Sequence, residues 1–343
     1  LDIRGEIRDA PRALRQTLET GRPEFESLVR GTRWGDGPLY IVGSGSSFPA
    51  ALAGLHAFES LLGWPVVVSR AANFLAYSAS LIRPRSVVLA VSLSGEADKI
   101  LEAALQARSR GAALLALTAS ATSPLAEAAD GTFLVRAGEE AGLGLQSGLC
   151  LYTAVGFIAL VAARVLKRHH HKLDELEQEY EKLPEHAEWV LTRLTDAART
   201  LALHLRGLEG LVLVGGGSYY PAALQAVETM ARLTPLRALA QDAAELRESL
   251  VRSTAGKRAA LFLSGSRCRV KKEIHESARL LGGPENLYAV TDSNDQELRG
   301  AVSLAVLLPS LAETTGSALG LLFLQSLVSQ LQQIIKSTMP SAR

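Results

Sequence analysis

Cysteine is nearly absent from this sequence of 343 residues, with only Cys150 and Cys268 present. Two thiols in unrelated surroundings make neither a disulfide framework nor a zinc-ligand spacing, and a reducing cytoplasm suits them. Aromatic residues are equally sparse at 5%, so Leu, Ala and Val must fill the cores; the apolar share of 48% is large enough for that. An excess of either charge is missing too, because 36 Lys and Arg stand against 35 Asp and Glu. A dedicated nucleic-acid binder would show a basic patch, so no nucleic-acid partner is expected, although a local anion site stays compatible with this balance. No secretory leader is visible: the opening Leu1-Asp2-Ile3-Arg4-Gly5-Glu6 alternates charged and apolar side chains.

Long hydrophobic runs need one check. No charged side chain occurs between Glu140 and Arg164. A membrane-crossing helix needs about 20 apolar residues, and Gly142, Gly144, Gln146, Ser147 and Gly148 leave only about 15 here. A buried helix fits better, and no membrane partner is expected.

What is present is an internal repeat. Tyr40-Ile41-Val42-Gly43-Ser44-Gly45-Ser46-Ser47-Phe48-Pro49-Ala50 resembles Val212-Leu213-Val214-Gly215-Gly216-Gly217-Ser218-Tyr219-Tyr220-Pro221-Ala222, at an offset of 172 residues. The same offset carries Ser92 and Ser94 onto Ser264 and Ser266, Gly111 onto Gly283, and Leu149 onto Leu321. Leu321 lies in a second charge-free stretch, between Glu313 and Lys336. A fixed period shared by several landmarks indicates a repeated structural unit. It also makes the two apolar stretches equivalent, each the buried helix of its own unit.

Each half alternates short Val/Leu/Ile runs with helical stretches. The first half has strands over about 38–43, 65–69, 86–91, 113–118 and 132–136; the second over about 210–215, 236–240, 258–263, 286–290 and 302–308. Apolar runs without polar alternation are the pattern of parallel strands buried on both faces. The expected fold is α/β: two tandem, doubly wound, flavodoxin-like parallel-sheet domains. Lead-in helices occupy 1–30, the first domain 31–166, a helical linker 167–200 and the second domain 201–343. The linker is strongly charged, and Pro184 is expected to break it into two solvated helices. His169-His170-His171 at its start reads as a solvated helix end, where His is favourable beside the helix dipole. No metal site and no cofactor are expected.

In open parallel sheets, ligands bind beyond the carboxyl ends of the strands. Two such ends in the first half carry Gly43-Ser44-Gly45-Ser46-Ser47 and Ser92-Leu93-Ser94-Gly95-Glu96. Glycine lets backbone N–H groups approach a ligand, serine hydroxyls add donors, and the following helix supplies a positive dipole end. Ordinary strand–helix turns would also place serine as a helix cap, but two such turns in one sheet favour an anion site. The fingerprint of a dinucleotide site lacks its third glycine, and no Lys-Ser/Thr follows to make a P-loop.

With these motifs in place, the chain resembles the sugar isomerase (SIS) family, in the doubled form of the isomerase domain of glucosamine-6-phosphate synthase. Gly43–Ser47 resembles the family's Gly-x-Gly-Thr-Ser, and Ser92–Glu96 its Ser-Gln-Ser-Gly-Glu. Ala137-Gly138-Glu139-Glu140-Ala141-Gly142 resembles Ala-Gly-Pro-Glu-x-Gly, and Glu245-Leu246-Arg247 falls where the family has Glu-Leu-Lys. Arg8–Leu18 is similar to the lead-in helix. The resemblance implies a sugar phosphate held by Ser46, Ser47, Ser92 and Ser94, with the backbone of Gly45, Leu93 and Gly95, and with the Leu93 N–H available to the ligand. A family threonine hydroxyl is lost at Ala97, and Asp98 lies near the same turn. The resemblance also implies a homodimer.

The catalytic positions depart further from the family. Its proton-shuttling Glu aligns with Arg232, a Lys with Thr229, and the ring-opening His with Glu248. The tail Pro340-Ser341-Ala342-Arg343 lacks the family's other Lys. No glutaminase segment or Cys nucleophile opens the sequence, so glutamine-dependent amination by this stretch alone is not expected; nor do about 30 residues before the first strand leave room for a helix-turn-helix head. Isomerisation needs a carboxylate that can act as base. Glu248 and Glu228 are the candidates, against surface pairing of Glu248 with Arg247 or Arg252 and an intrahelical pair of Glu228 with Arg232. His275 reads as part of a solvated helix face. Two expectations result: an isomerase, deaminase or deglycase acting on a hexose or amino-sugar 6-phosphate, or a catalytically silent sugar-phosphate sensor.

Overall fold

The structure is a computed structural model that describes residues 3–34, 37–138, 143–168, 172–246, 257–281 and 285–338. These residues form two compact units. The first comprises residues 9–184, the second residues 2–8 and 185–343.

In the first unit, β1 (Leu39–Gly43), β2 (Val66–Arg70), β3 (Val87–Val91), β4 (Ala113–Thr118) and β5 (Gly131–Leu134) make one parallel sheet in the order β2-β1-β3-β4-β5. Every residue of β1 and β3 is buried, because both faces of the sheet are covered. Side chains alternate between the faces. Tyr40, Val42, Val88 and Leu114 join Phe74, Ile100 and Leu125 in one core layer. On the other face Ile41 meets the helices Phe48–Leu62 and Leu145–Val165. The few aromatics are concentrated: Phe25, on the helix Arg22–Gly31, packs edge-on against Phe133 at 5.0 Å and against Phe157 at 6.1 Å.

In the second unit, β6 (Gly210–Gly215), β7 (Arg237–Asp242), β8 (Arg258–Leu263), β9 (Leu287–Asp292) and β10 (Leu304–Leu308) form the order β10-β9-β8-β6-β7. Counted from its own first strand, this is the strand order of the first sheet. The helices Thr195–Leu205, Tyr219–Leu233 and Glu313–Thr338 pack together, and Lys271–Leu280 packs with Gln296–Ala301.

Leu145–Val165 and Glu313–Ser337 are each long and apolar enough to cross a bilayer, but 89% and 67% of their most apolar windows are buried inside the protein. That is the burial of core helices, as the shared offset of the two stretches implies.

The expected break at Pro184 does not occur. One helix runs through it from Leu173 to Arg193, followed by Thr195–Leu205. Leu173, Leu176, Tyr180, Leu183, Ala187 and Val190 are buried at alternating spacings of three and four, so this helix buries a full apolar stripe. Packing on both sides of the proline outweighs the lost backbone hydrogen bond. Its charges face outward or pair: Glu177 bridges Arg22 and Arg164. The two units divide at Pro184–Glu185, inside this helix, rather than at a separate linker. His169–His171 lies outside the described residues.

Candidate functional site

Gly43, the last residue of β1, lies in register with Val91 on one side and Arg70 on the other. The segments that follow β1 and β3 therefore emerge side by side at the carboxyl edge of the sheet. After β1 the chain turns at Ser44, passes through Gly45 at φ +50°, and winds a single 3-10 turn, Gly45–Ser47, into the helix Phe48–Leu62. A left-handed φ favours glycine, and no described atom lies within 4 Å of where a Cβ on Gly45 would sit. Among the described residues, the space next to Gly45 in this turn is open.

The turn after β3 is braced from below. Ser92 donates its N–H to the Leu117 carbonyl at 3.0 Å. The Leu93 carbonyl accepts from the Ala119 N–H at 2.9 Å and from Thr118 Oγ1 at 3.0 Å. The Gly95 carbonyl accepts from Leu125 N–H at 3.1 Å. Gly95 has φ +69°, and a Cβ there would collide with the Ser123 side chain. Thr118 and Ser123 thus hold this turn in place; their signal in the sequence is a hydroxyl closing β4 and another capping the helix Pro124–Ala128.

One hydrogen bond joins the two turns. The Leu93 N–H, expected to be free for a ligand, donates to the buried Ser47 Oγ at 3.2 Å. Ser92 Oγ accepts from Gly95 N–H and Ser94 Oγ from Glu96 N–H, both at 3.2 Å. A hydroxyl has one proton to give and two lone pairs to accept with. Each of these three serines has taken a backbone proton, and none gives its own to a described residue. Ser46 is exposed at the start of the helix. The sheet edge therefore presents hydroxyl protons and a helix N-terminus, donors suited to an anion. Asp98 is exposed at the first turn of the helix Asp98–Ser109.

The two serine turns hold no Lys or Arg, but a cation stands beside them. Arg70 ends β2, in register with Gly43, and its guanidinium lies 3.9 Å from the centroid of the Phe48 ring. Arg70 is exposed and makes no ion pair with the described residues. Its sequence signal is an arginine closing the otherwise apolar Val66-Val67-Val68-Ser69 run.

Of the carboxylates considered as bases, Glu228 is half-buried on the helix Tyr219–Leu233 of the second unit, while Arg232 on the same helix is exposed. Glu248 lies outside the described residues, as do Arg247, Arg252, Glu139, Glu140 and the tail Pro340–Arg343. Thr229, at the family's Lys position, donates its hydroxyl to the Gln225 carbonyl at 3.1 Å within its own helix. His275 is not on a solvated face. It is buried, with Nε2 at 2.8 Å from Asp295 and Nδ1 at 3.0 Å from Glu297. Asp295 also accepts from Thr291 Oγ1 at 3.0 Å and caps the helix Gln296–Ala301. Among the described residues no group of three or more His, Cys, Asp and Glu is arranged to hold a metal.

Fold and turns together define an open α/β protein with hydroxyl-rich turns at the carboxyl edge of a parallel sheet. Residues 36–163 match the SIS domain, and this part of the chain belongs to that family. Over 250 residues the chain is 33% identical to glutamine–fructose-6-phosphate aminotransferase (isomerizing) of Aeropyrum pernix, covering 70% of this chain and 39% of that protein. The chain spans about two fifths of the length of the curated relatives it matches. Its fold is similar to the C-terminal domain of glucosamine-fructose-6-phosphate aminotransferase from Francisella tularensis, with a TM-score of 0.86, 18% identity and coverage of 98% of this chain and 96% of that one. It is also similar to tagatose-6-phosphate ketose/aldose isomerase from Escherichia coli, with a TM-score of 0.76, 14% identity and coverage of 97% and 92%. At these identities the two solved structures establish the fold.

Proposed function

We propose that the first unit binds a sugar phosphate at Ser46, Ser47, Ser92 and Ser94, with the backbone of Gly45, Leu93 and Gly95, and that the chain acts on it as an enzyme of the phosphosugar isomerase or aminotransferase type. The observation that carries the reading is the set of three hydroxyls, Ser47, Ser92 and Ser94, each already accepting a backbone N–H and each with its proton left to give. A phosphate has only acceptors at neutral pH and matches that set. Arg70 adds the positive charge that the turns themselves lack. Binding releases Leu93 N–H or keeps it on Ser47, and either arrangement leaves the serine protons on the ligand.

The reading includes two tandem SIS-type units. It is supported by the common strand order of the two sheets and by Gly45 and Gly217, which stand 172 residues apart and both adopt a positive φ. It also includes a homodimer in the cytoplasm; a monomer in light scattering would contradict that part. Substrates are hexose or amino-sugar 6-phosphates, and the reaction is isomerisation, deamination or deglycation with Glu248 or Glu228 as the base. Proton transfer between C1 and C2 of an open-chain sugar needs such a carboxylate within hydrogen-bond reach.

One observation favours the silent sensor as a second reading. Thr229 spends its hydroxyl on its own helix, and Arg232 is exposed, so neither supplies a base where the family has Lys and Glu. Deuterium exchange at C1 of bound fructose 6-phosphate in heavy water, by removal and return of the C1 proton, separates the two. Exchange abolished by Glu248→Gln or Glu228→Gln supports the enzyme and names the base. Tight binding without exchange supports the sensor.

A further inference from the structure

The second sheet carries the same pair of turns, and there they are filled. Gly217 has φ +54° where Gly45 has φ +50°. The space for a Cβ is open above Gly45, whereas above Gly217 it is taken by the Glu313 carboxylate. Glu313 is the first residue of the helix Glu313–Thr338. Its Oε1 accepts the Ser218 N–H at 2.9 Å, and Oε2 accepts the Arg269 N–H at 3.4 Å. The buried Cys268 Sγ stands 3.8 Å from Oε1. The neighbouring turn is filled in the same way. Asp292, which ends β9, accepts with Oδ2 from Ser266 N–H at 2.7 Å and Ser266 Oγ at 3.0 Å, and with Oδ1 from Asn294 N–H at 2.9 Å. Ser264, at the position of Ser92, is 2% exposed, and its hydroxyl has no hydrogen-bond partner among the described residues.

We propose that the strand-end turns of the second unit are an anion site whose resident ligand is the chain's own Glu313 carboxylate. Backbone N–H groups around a positive-φ glycine form a concavity suited to a carboxylate or a phosphate. Here the carboxylate arrives tethered, so it occupies the site without the translational entropy a free ligand loses on binding. A free phosphate would have to displace it and face its charge as well. Burial, with the Glu313 charge beside it, pushes the Cys268 thiol up, so it stays a neutral donor next to the carboxylate. Of the two pairs of turns, the first unit's open pair is then the one that takes an external anion. That last clause rests on the function proposed above; the occupied second site does not.

The test uses the full chain carrying Ser92→Ala and Ser94→Ala to silence the first cradle, with inorganic phosphate as the probe, followed by calorimetric titration, phosphorus NMR line width and thermal melts. With Glu313 intact, no phosphate binding is expected. Adding Glu313→Ala lowers the Tm, and millimolar phosphate then binds and recovers it, while chloride at equal ionic strength does not. Phosphate bound equally with Glu313 present, or a Glu313→Ala melt indifferent to phosphate and sulfate, would overturn the proposal. If Glu313→Ala does not fold, wild-type stoichiometry decides: one phosphate per chain upholds it and two overturn it. Should the wild type bind no sugar phosphate while Glu313→Ala gains inorganic phosphate, the function proposed for the first unit fails and this inference stands.

Discussion

Ser46 and Ser47 are adjacent, yet their alanine variants are expected to behave differently. Ser47 Oγ accepts the Leu93 N–H and ties the two turns together, whereas Ser46 is exposed. Ser47→Ala leaves a partly buried N–H without its partner, which costs about 1–2 kcal/mol. For a unit of this size that lowers the Tm by about 2–4 °C for each kcal/mol. Ser46→Ala touches nothing in the fold and is expected to stay within about 0.5 kcal/mol of wild type. Binding of fructose 6-phosphate weakens in both, because each loses a hydrogen bond to a charged group worth about 1.5–3 kcal/mol. That corresponds to roughly a 10- to 150-fold rise in Kd. Thermal melts of the free proteins and calorimetric titrations separate the two effects. A Ser47→Ala protein with wild-type Tm and wild-type Kd would refute both the tether and the hydroxyl cradle.

Other substitutions follow from the same geometry. Gly95→Ala places a methyl group against Ser123 at φ +69° and is expected to cost about 2–4 kcal/mol from strain and overlap, read from the urea midpoint. Gly45→Ala meets open space, so its cost is limited to the left-handed backbone, about 1 kcal/mol, and the smaller midpoint shift checks that ranking. His275→Ala removes a buried hydrogen-bond partner of the Asp295 carboxylate and is expected to cost about 1–3 kcal/mol, again from the urea midpoint. Cys268 is held as a buried thiol, so maleimide labelling at neutral pH should wait for unfolding; fast labelling of the native protein would contradict that placement.

Much of this was legible in the sequence, for identifiable reasons. The central strands follow from short apolar runs, since a parallel strand covered on both faces leaves no polar residue to blur its edges; the edge strands β2 and β7 are part-exposed and end in polar residues. That Gly43–Ser47 and Ser92–Glu96 are neighbouring turns could be read because glycine and serine sit where a strand hands over to a helix. What the sequence concealed depends on distance along the chain. Nothing near Ser218 signals that Glu313, 95 residues on, supplies its acceptor. Arg70 reaches Phe48 only through the β1–β2 register. Pro184 reads as a break until the buried stripe from Leu173 to Val190 shows what keeps the helix continuous through it. His275 looks solvated among Lys271, Lys272 and Glu273 because Asp295 and Glu297 belong to a later helix.

The central claim is that a sugar phosphate binds on the serine turns of the first sheet. Titration of the wild type and of the Ser92→Ala, Ser94→Ala double variant with fructose 6-phosphate, glucose 6-phosphate and glucosamine 6-phosphate tests it most directly. The account predicts saturable binding of at least one of these to the wild type, and its loss in the double variant while the fold is retained. Binding that survives in the double variant, or no heat with any of the three ligands, would contradict it.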